Sequence, residues 1–132
     1  IYFMPFVFVV GIVSVIYAGF TTIRQIDLKK IIAYTSVAHM NLVVIGLFTL
    51  NTQSLEGSIL LMVGHGFVSS ALFLSIGVLY VRHHTRILKY YAGLAYSMPI
   101  FASLFLFLSL SNLGFPGTSN FVGELLIIAG IF

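Results

Sequence analysis

Cysteine is absent from all 132 residues, which excludes disulfides and cysteine-ligated iron–sulfur clusters within the chain. Charge is nearly as scarce. Charged residues make up 7% of the sequence and only three are acidic, where an ordinary globular chain carries about 25% charged residues. A water-soluble fold of this length could not cover so much apolar surface. Also missing are a phosphate loop, a nucleophile constellation and a nucleic-acid motif, and no basic segment with a cleavage site marks a signal peptide. The chain neither begins with Met nor ends outside an apolar stretch, so it is expected to be a fragment of a longer protein.

What is present is apolar and continuous. Four uncharged runs cover Ile1 to Ile23, Ile31 to Leu55, Gly57 to Val81 and Tyr90 to Gly123. Each exceeds the roughly 20 residues that a membrane-spanning helix needs. None alternates in the way of a barrel strand, and backbone in lipid must satisfy its own hydrogen bonds. The expected fold is all-α, a polytopic bundle of about four spans. Helices are predicted near Pro5–Ile23, Leu28–Leu50 and Leu55–Val81, followed by a fourth region from Ser97 to Phe132. Asp27 is a candidate cap for the second helix and Ser54 for the third. All six basic residues fall in two loops, Arg24, Lys29 and Lys30 in the first, Arg82, Arg86 and Lys89 in the third. The positive-inside pattern puts these loops on one side, cytoplasmic or matrix-facing.

The fourth region is too long for one straight span. It would run about 54 Å as a helix, against ~30 Å of hydrocarbon. Pro116-Gly117 is the expected interruption, since Pro removes a backbone donor and Gly permits unusual dihedrals. Unwound backbone at membrane depth survives only in protein or beside water, and Thr118, Ser119 and Asn120 follow the break. Glu124 then stands among apolar neighbours. A carboxylate there is costly unless paired, hydrated or protonated, which makes it a candidate proton carrier rather than a solvated charge. A plain turn, with Glu124 snorkelling or salt-bridged, is the bland alternative.

His39 and His65 lie ten residues after Lys29 and nine after Glu56, depths of about 15 and 14 Å from opposite sides. Histidine titrates in the physiological range, and Thr35 and Ser69 share helix faces with His39 and His65. The pair suits a proton relay, or hydrogen-bonded packing, or axial ligation of a b-type haem, with Gly64 and Gly66 leaving room for a porphyrin or for close helix packing. Lys29 is a candidate proton-uptake residue or a snorkelling anchor; Lys30 reads as an anchor. Adjacent His83 and His84 lack a third ligand for a metal site. Small residues along the third helix place it inside the bundle.

RQIDLKKIIAYTSVAHMN, GSILLMVGHGFVSSALFL and NLGFPGTSNFVGELLI, taken in order, resemble the subunit 4 family of mitochondrial NADH:ubiquinone oxidoreductase (complex I), related to Mrp-type cation/proton antiporter subunits. The resemblance implies part of one antiporter-like transmembrane domain, residues 1–132 lying in the second of two inverted repeats, with the Pro116 region as the broken twelfth helix. It implies a proton-translocating membrane-arm subunit of a translocase in the mitochondrial inner membrane. Glu124, His65, His39 and Lys29 would form the relay. No cofactor is implied in this chain; NADH, FMN, iron–sulfur clusters and ubiquinone would belong to partner subunits. Partners would be other membrane-arm subunits, sister antiporter-like subunits among them, and lipids such as cardiolipin, with no nucleic acid. Some sister subunits carry a lysine four residues after the histidine matching His65, where this chain has Ser69. A free-standing Mrp-type antiporter and a bis-His cytochrome remain the alternatives.

Overall fold

The structure is a computed structural model that describes residues 2–85 and 87–132. Arg86, counted above among the loop cations, lies outside the described residues. Three helices are long and apolar enough to cross a membrane: α1 (Met4–Arg24), α2 (Leu28–Phe48) and α3 (Thr52–His83). After a 3₁₀ turn at Leu88–Tyr91 come the short α4 (Leu94–Ser97), then α5 (Pro99–Leu113) and α6 (Ser119–Ile131). Among the described residues there is no strand, only an isolated bridge between Asp27 and Ile87.

The ends of these helices follow from local chemistry. Pro5 occupies the first turn of α1 and Pro99 that of α5, where a missing N–H leaves nothing unsatisfied. Asp27 caps α2, its side chain accepting from Lys29 N at 3.0 Å. The expected cap of α3 is wrong. Asn51 fills that place, accepting from Gln53 N at 3.3 Å. Ser54 lies inside α3 and donates instead to Gly46 O of α2 at 2.9 Å. The polar turn is thus shorter than the NTQS sequence suggests, because Asn51 is the better-placed acceptor. With 32 residues, α3 is about 48 Å long and outruns the ~30 Å hydrocarbon core.

α3 is the axis of the packing. Against it α6 runs antiparallel with glycines at the crossing. A Cβ added to Gly57 would come within 2.6 Å of Leu126 Cβ and 2.9 Å of Gly123 O, and one on Gly123 within 3.0 Å of Leu61. Side chains absent from both helices let the backbones touch, which is how membrane helices gain packing where no hydrophobic force drives them together. Leu61 and Ile127 are fully buried in this seam, with Val43 of α2 beside them. A second apolar cluster, Ile32, Leu72 and Ile76, joins α2 and α3 to Phe105 and Leu108 of α5. α1 leans on α2 through Gly11, whose α-hydrogen faces Ile45, and leaves most of its side chains exposed.

The two basic loops meet. Leu88 N donates to Ile26 O at 2.9 Å, next to the Asp27–Ile87 bridge. Tyr91 reinforces the strap by donating its phenol to Thr85 O. Burial, the Asp27 carboxylate and Tyr80 push the Tyr91 pKa up, so the phenol keeps its donor proton. These two loops therefore share one face of the bundle, as the charge pattern requires.

Candidate functional site

The fourth region breaks as expected, but the stop is written in Gly114 as much as in Pro116-Gly117. Gly114 has φ +87° and its N–H returns to Ser111 O at 3.2 Å, while Phe115 N reaches Leu110 O at 3.1 Å. That is a left-handed glycine cap closing α5. Gly117 takes φ +100° in the gap, and α6 restarts at Ser119. The break lies level with Gly64 of α3: a Cβ on Gly64 would sit 2.6 Å from both Asn120 Oδ1 and Ser119 Oγ.

Glu124 stands one turn into α6, and its carboxylate spans the break. Oε1 is 3.1 Å from His39 Nδ1. Oε2 lies on the far side against Gly114, 2.8 Å from where a Cβ would be. Any side chain at 114 would displace the carboxylate as well as strain the backbone. His39 and His65 are neighbours, their ring centroids 5.4 Å apart and tilted by 40°. His65, 5% exposed, pairs its Nε2 with Ser36 Oγ at 3.2 Å; its Nδ1 is buried and unpaired. Three helices thus place Ser36, His65, His39 and Glu124 in a row.

The sequence reading named three of these four. It expected Thr35 and Ser69 to serve the histidines from their own helices. Thr35 instead donates to Ile32 O at 2.7 Å, and the hydroxyl that meets His65 is Ser36, on a different helix. Periodicity within one helix carries no signal for a contact between helices. Asn120 was noted only as polar. It is fully buried and donates from Nδ2 to Ser111 O at 2.9 Å, tying the start of α6 to the end of α5. Lys29 is not brought to the row. It is exposed on the first turn of α2, about 15 Å along the helix from His39.

Chemically, the row can hold and pass a proton. Imidazole gives and accepts through its two nitrogens, so a proton arriving at one nitrogen of His39 can leave from Nδ1 to the carboxylate. It does not fit a haem. A porphyrin would have to lie between the rings, whose centroids are 5.4 Å apart, too close to admit one. The side of Gly64 is filled by Ser119 and Asn120, and Gly66 faces open space. Nor is there a group of three or more metal-binding side chains among the described residues.

Known proteins share this sequence and fold. The sequence matches, over residues 1–132, the family described as NADH:quinone oxidoreductase/Mrp antiporter, TM. It is 62% identical to NADH-ubiquinone oxidoreductase chain 4 of Marchantia polymorpha over 132 residues, all of this chain and 27% of that protein. Its counterpart from Metridium senile is 50% identical over 131 residues, 99% of this chain and 27% of that one. The fold matches a chain of respiratory complex I from Thermus thermophilus with bound NADH, at a TM-score of 0.93 and 32% identity, covering 98% of this chain and 28% of that one. The chain spans about a quarter of the length of the curated relatives it matches. Helices long and apolar enough to cross a membrane, a broken fourth region and a family match over residues 1–132 place it: the chain belongs to the NADH:quinone oxidoreductase/Mrp antiporter transmembrane family.

Proposed function

We propose that this chain is part of a proton-translocating membrane-arm subunit of NADH:ubiquinone oxidoreductase, lying in the second inverted repeat of an antiporter-like domain. The observation that carries the reading is the 3.1 Å pairing of His39 with Glu124 across the helix break, with His65 behind it. A proton passes from His65 to His39, by ring rotation or through one water, and from His39 Nδ1 to Glu124. Glu124 releases it toward the α6 side of the break. Ser36 fixes the orientation of the His65 ring, and Lys29 acts at the rim on the strapped-loop face as the uptake residue. The loops at 24–30 and 82–89 face the mitochondrial matrix by the positive-inside pattern. Redox chemistry, with its NADH, FMN, iron–sulfur clusters and ubiquinone, belongs to partner subunits, and coupling arrives through conformation or electrostatics. Sister membrane-arm subunits and lipids such as cardiolipin complete the surroundings.

The test is Glu124→Gln in the assembled complex. Gln keeps the size of the side chain and can still hydrogen-bond His39, so assembly and NADH oxidation should persist. Proton transfer through this subunit should slow by about tenfold or more, in line with the loss of a positioned acid–base group, and protons pumped per NADH oxidised should fall. Normal pumping by an assembled mutant would remove Glu124 from the mechanism. Sodium transport in the absence of NADH oxidation would instead mark a free-standing antiporter.

A further inference from the structure

We propose that Ser36 fixes the tautomer of His65, holding the imidazole proton on Nδ1, and that Thr35 keeps Ser36 in that task. This assignment deepens the relay reading above and rests on it: orientation of the ring alone would leave either nitrogen free to carry the proton. Ser36 is half-buried on α2, and its Oγ lies 3.2 Å from His65 Nε2 of α3. A serine or threonine inside a helix commonly returns its hydroxyl proton to the carbonyl one turn back. Ser14, Thr21, Ser70 and Ser75 do so at 2.7–2.8 Å. For Ser36 that carbonyl is Ile32 O. It already takes the helix bond from Ser36 N and the hydroxyl proton of Thr35 at 2.7 Å, so both of its lone pairs are used. The Ser36 proton is thereby turned outward, to His65.

Counting donors and acceptors decides which way the bond runs. A neutral imidazole donates from one nitrogen and accepts at the other. If Ser36 donates to Nε2, the hydroxyl is satisfied and the imidazole proton sits on Nδ1, which is buried without a partner. If Nε2 donates instead, Nδ1 still lacks a partner and the Ser36 proton loses one too, its usual carbonyl being full. The extra unmade bond makes the second arrangement the costlier. The relay depends on this choice. A proton reaching Nε2 makes the ring a cation with two N–H groups, and the proton on Nδ1 leaves toward His39, whose ring centroid is 5.4 Å away. The neutral ring is then left with its proton on Nε2, facing Ser36. Donation from Ser36 favours the ring with its proton back on Nδ1, ready for the next transfer. His65 thus receives on the Ser36 side and releases on the other.

Ser36 is therefore a positioning residue, and a double-mutant cycle with Thr35 separates that role from packing. Ser36→Ala, Ser36→Thr, Thr35→Val and the Thr35→Val/Ser36→Ala pair are introduced into the intact complex in sealed membrane vesicles, and protons pumped per NADH oxidised are measured. Ser36→Ala should slow transfer through this subunit by about fivefold, the ratio that corresponds to one hydrogen bond of about 1 kcal/mol, and so lower the pumped ratio. Ser36→Thr keeps the hydroxyl and should pump like the parent. Thr35→Val keeps its shape but frees Ile32 O, so Ser36 can turn back to its own helix. It should give a smaller loss of the same kind, and no loss once Ser36 is Ala; two packing defects would add. If Ser36→Ala does not assemble, Thr35→Val against Ser36→Thr carries the test. Parental pumping by Ser36→Ala while His65→Gln pumps poorly, an equal defect in Ser36→Thr, or a Thr35→Val loss that persists without the Ser36 hydroxyl would overturn the assignment. Failure of the relay is separable: His65→Gln itself would then pump like the parent.

Discussion

The two flanks of α3 differ in what they exclude. Toward α6 it presents Gly57, met by backbone of Gly123 and Ile127, and Gly64, met by the side chains of Ser119 and Asn120, with no room for a methyl group at either. Toward α5 it presents Leu72 and Ile76, and larger side chains leave a cleft. Close contact on one flank holds α6, and with it Glu124, 3.1 Å from His39, while the bulkier flank leaves space between its side chains.

That contrast can be broken by substitution. The largest effect is expected from Gly57→Val, because Leu126 Cβ and two backbone atoms of α6 lie within 2.9 Å of the new Cβ. Overpacking typically costs about 1–3 kcal/mol, and here backbone must yield, so assembled complex on native gels should fall sharply, with pumping falling in proportion. Filling the opposite flank should cost less and read differently. Asn112→Leu removes an unpaired buried acceptor and occupies the cleft beside Leu72 and Phe105, so assembled complex on native gels should stay near the parent level. Smaller still is Gly66→Ala. Nothing lies within 4 Å of that Cβ, and both assembly and pumping should match the parent. A Gly66→Ala defect equal to that of Gly57→Val would erase the distinction between the faces.

Much of this was legible in the sequence, and the reasons are local. The first three spans follow from apolar runs longer than the hydrocarbon core, and the cap at Asp27 from a polar residue ahead of a periodic helix. Pro116-Gly117 announced the break, and the depth count brought His39 and His65 to one level. Ser54, Ser36 and Asn120 were misjudged or missed for one shared reason. Each makes its defining contact with another helix, to Gly46 O, His65 and Ser111 O respectively. Helix spacing predicts which residues share a face but not which faces meet. Gly114 fell outside the expected break because the Pro116-Gly117 pair masked a glycine that ends the helix two residues earlier.

The shortness of the His39–Glu124 step has an electrical consequence. Moving one charge through the whole membrane costs about 2.3 kcal/mol per 100 mV. A hop of 3.1 Å crosses at most about a tenth of ~30 Å of hydrocarbon, so the membrane voltage opposes it by no more than about 0.2 kcal/mol per 100 mV. The transmembrane potential is nearly blind to this transfer. A charge appearing a few ångströms to the side of the pair would act on such a transfer far more strongly than the membrane voltage does.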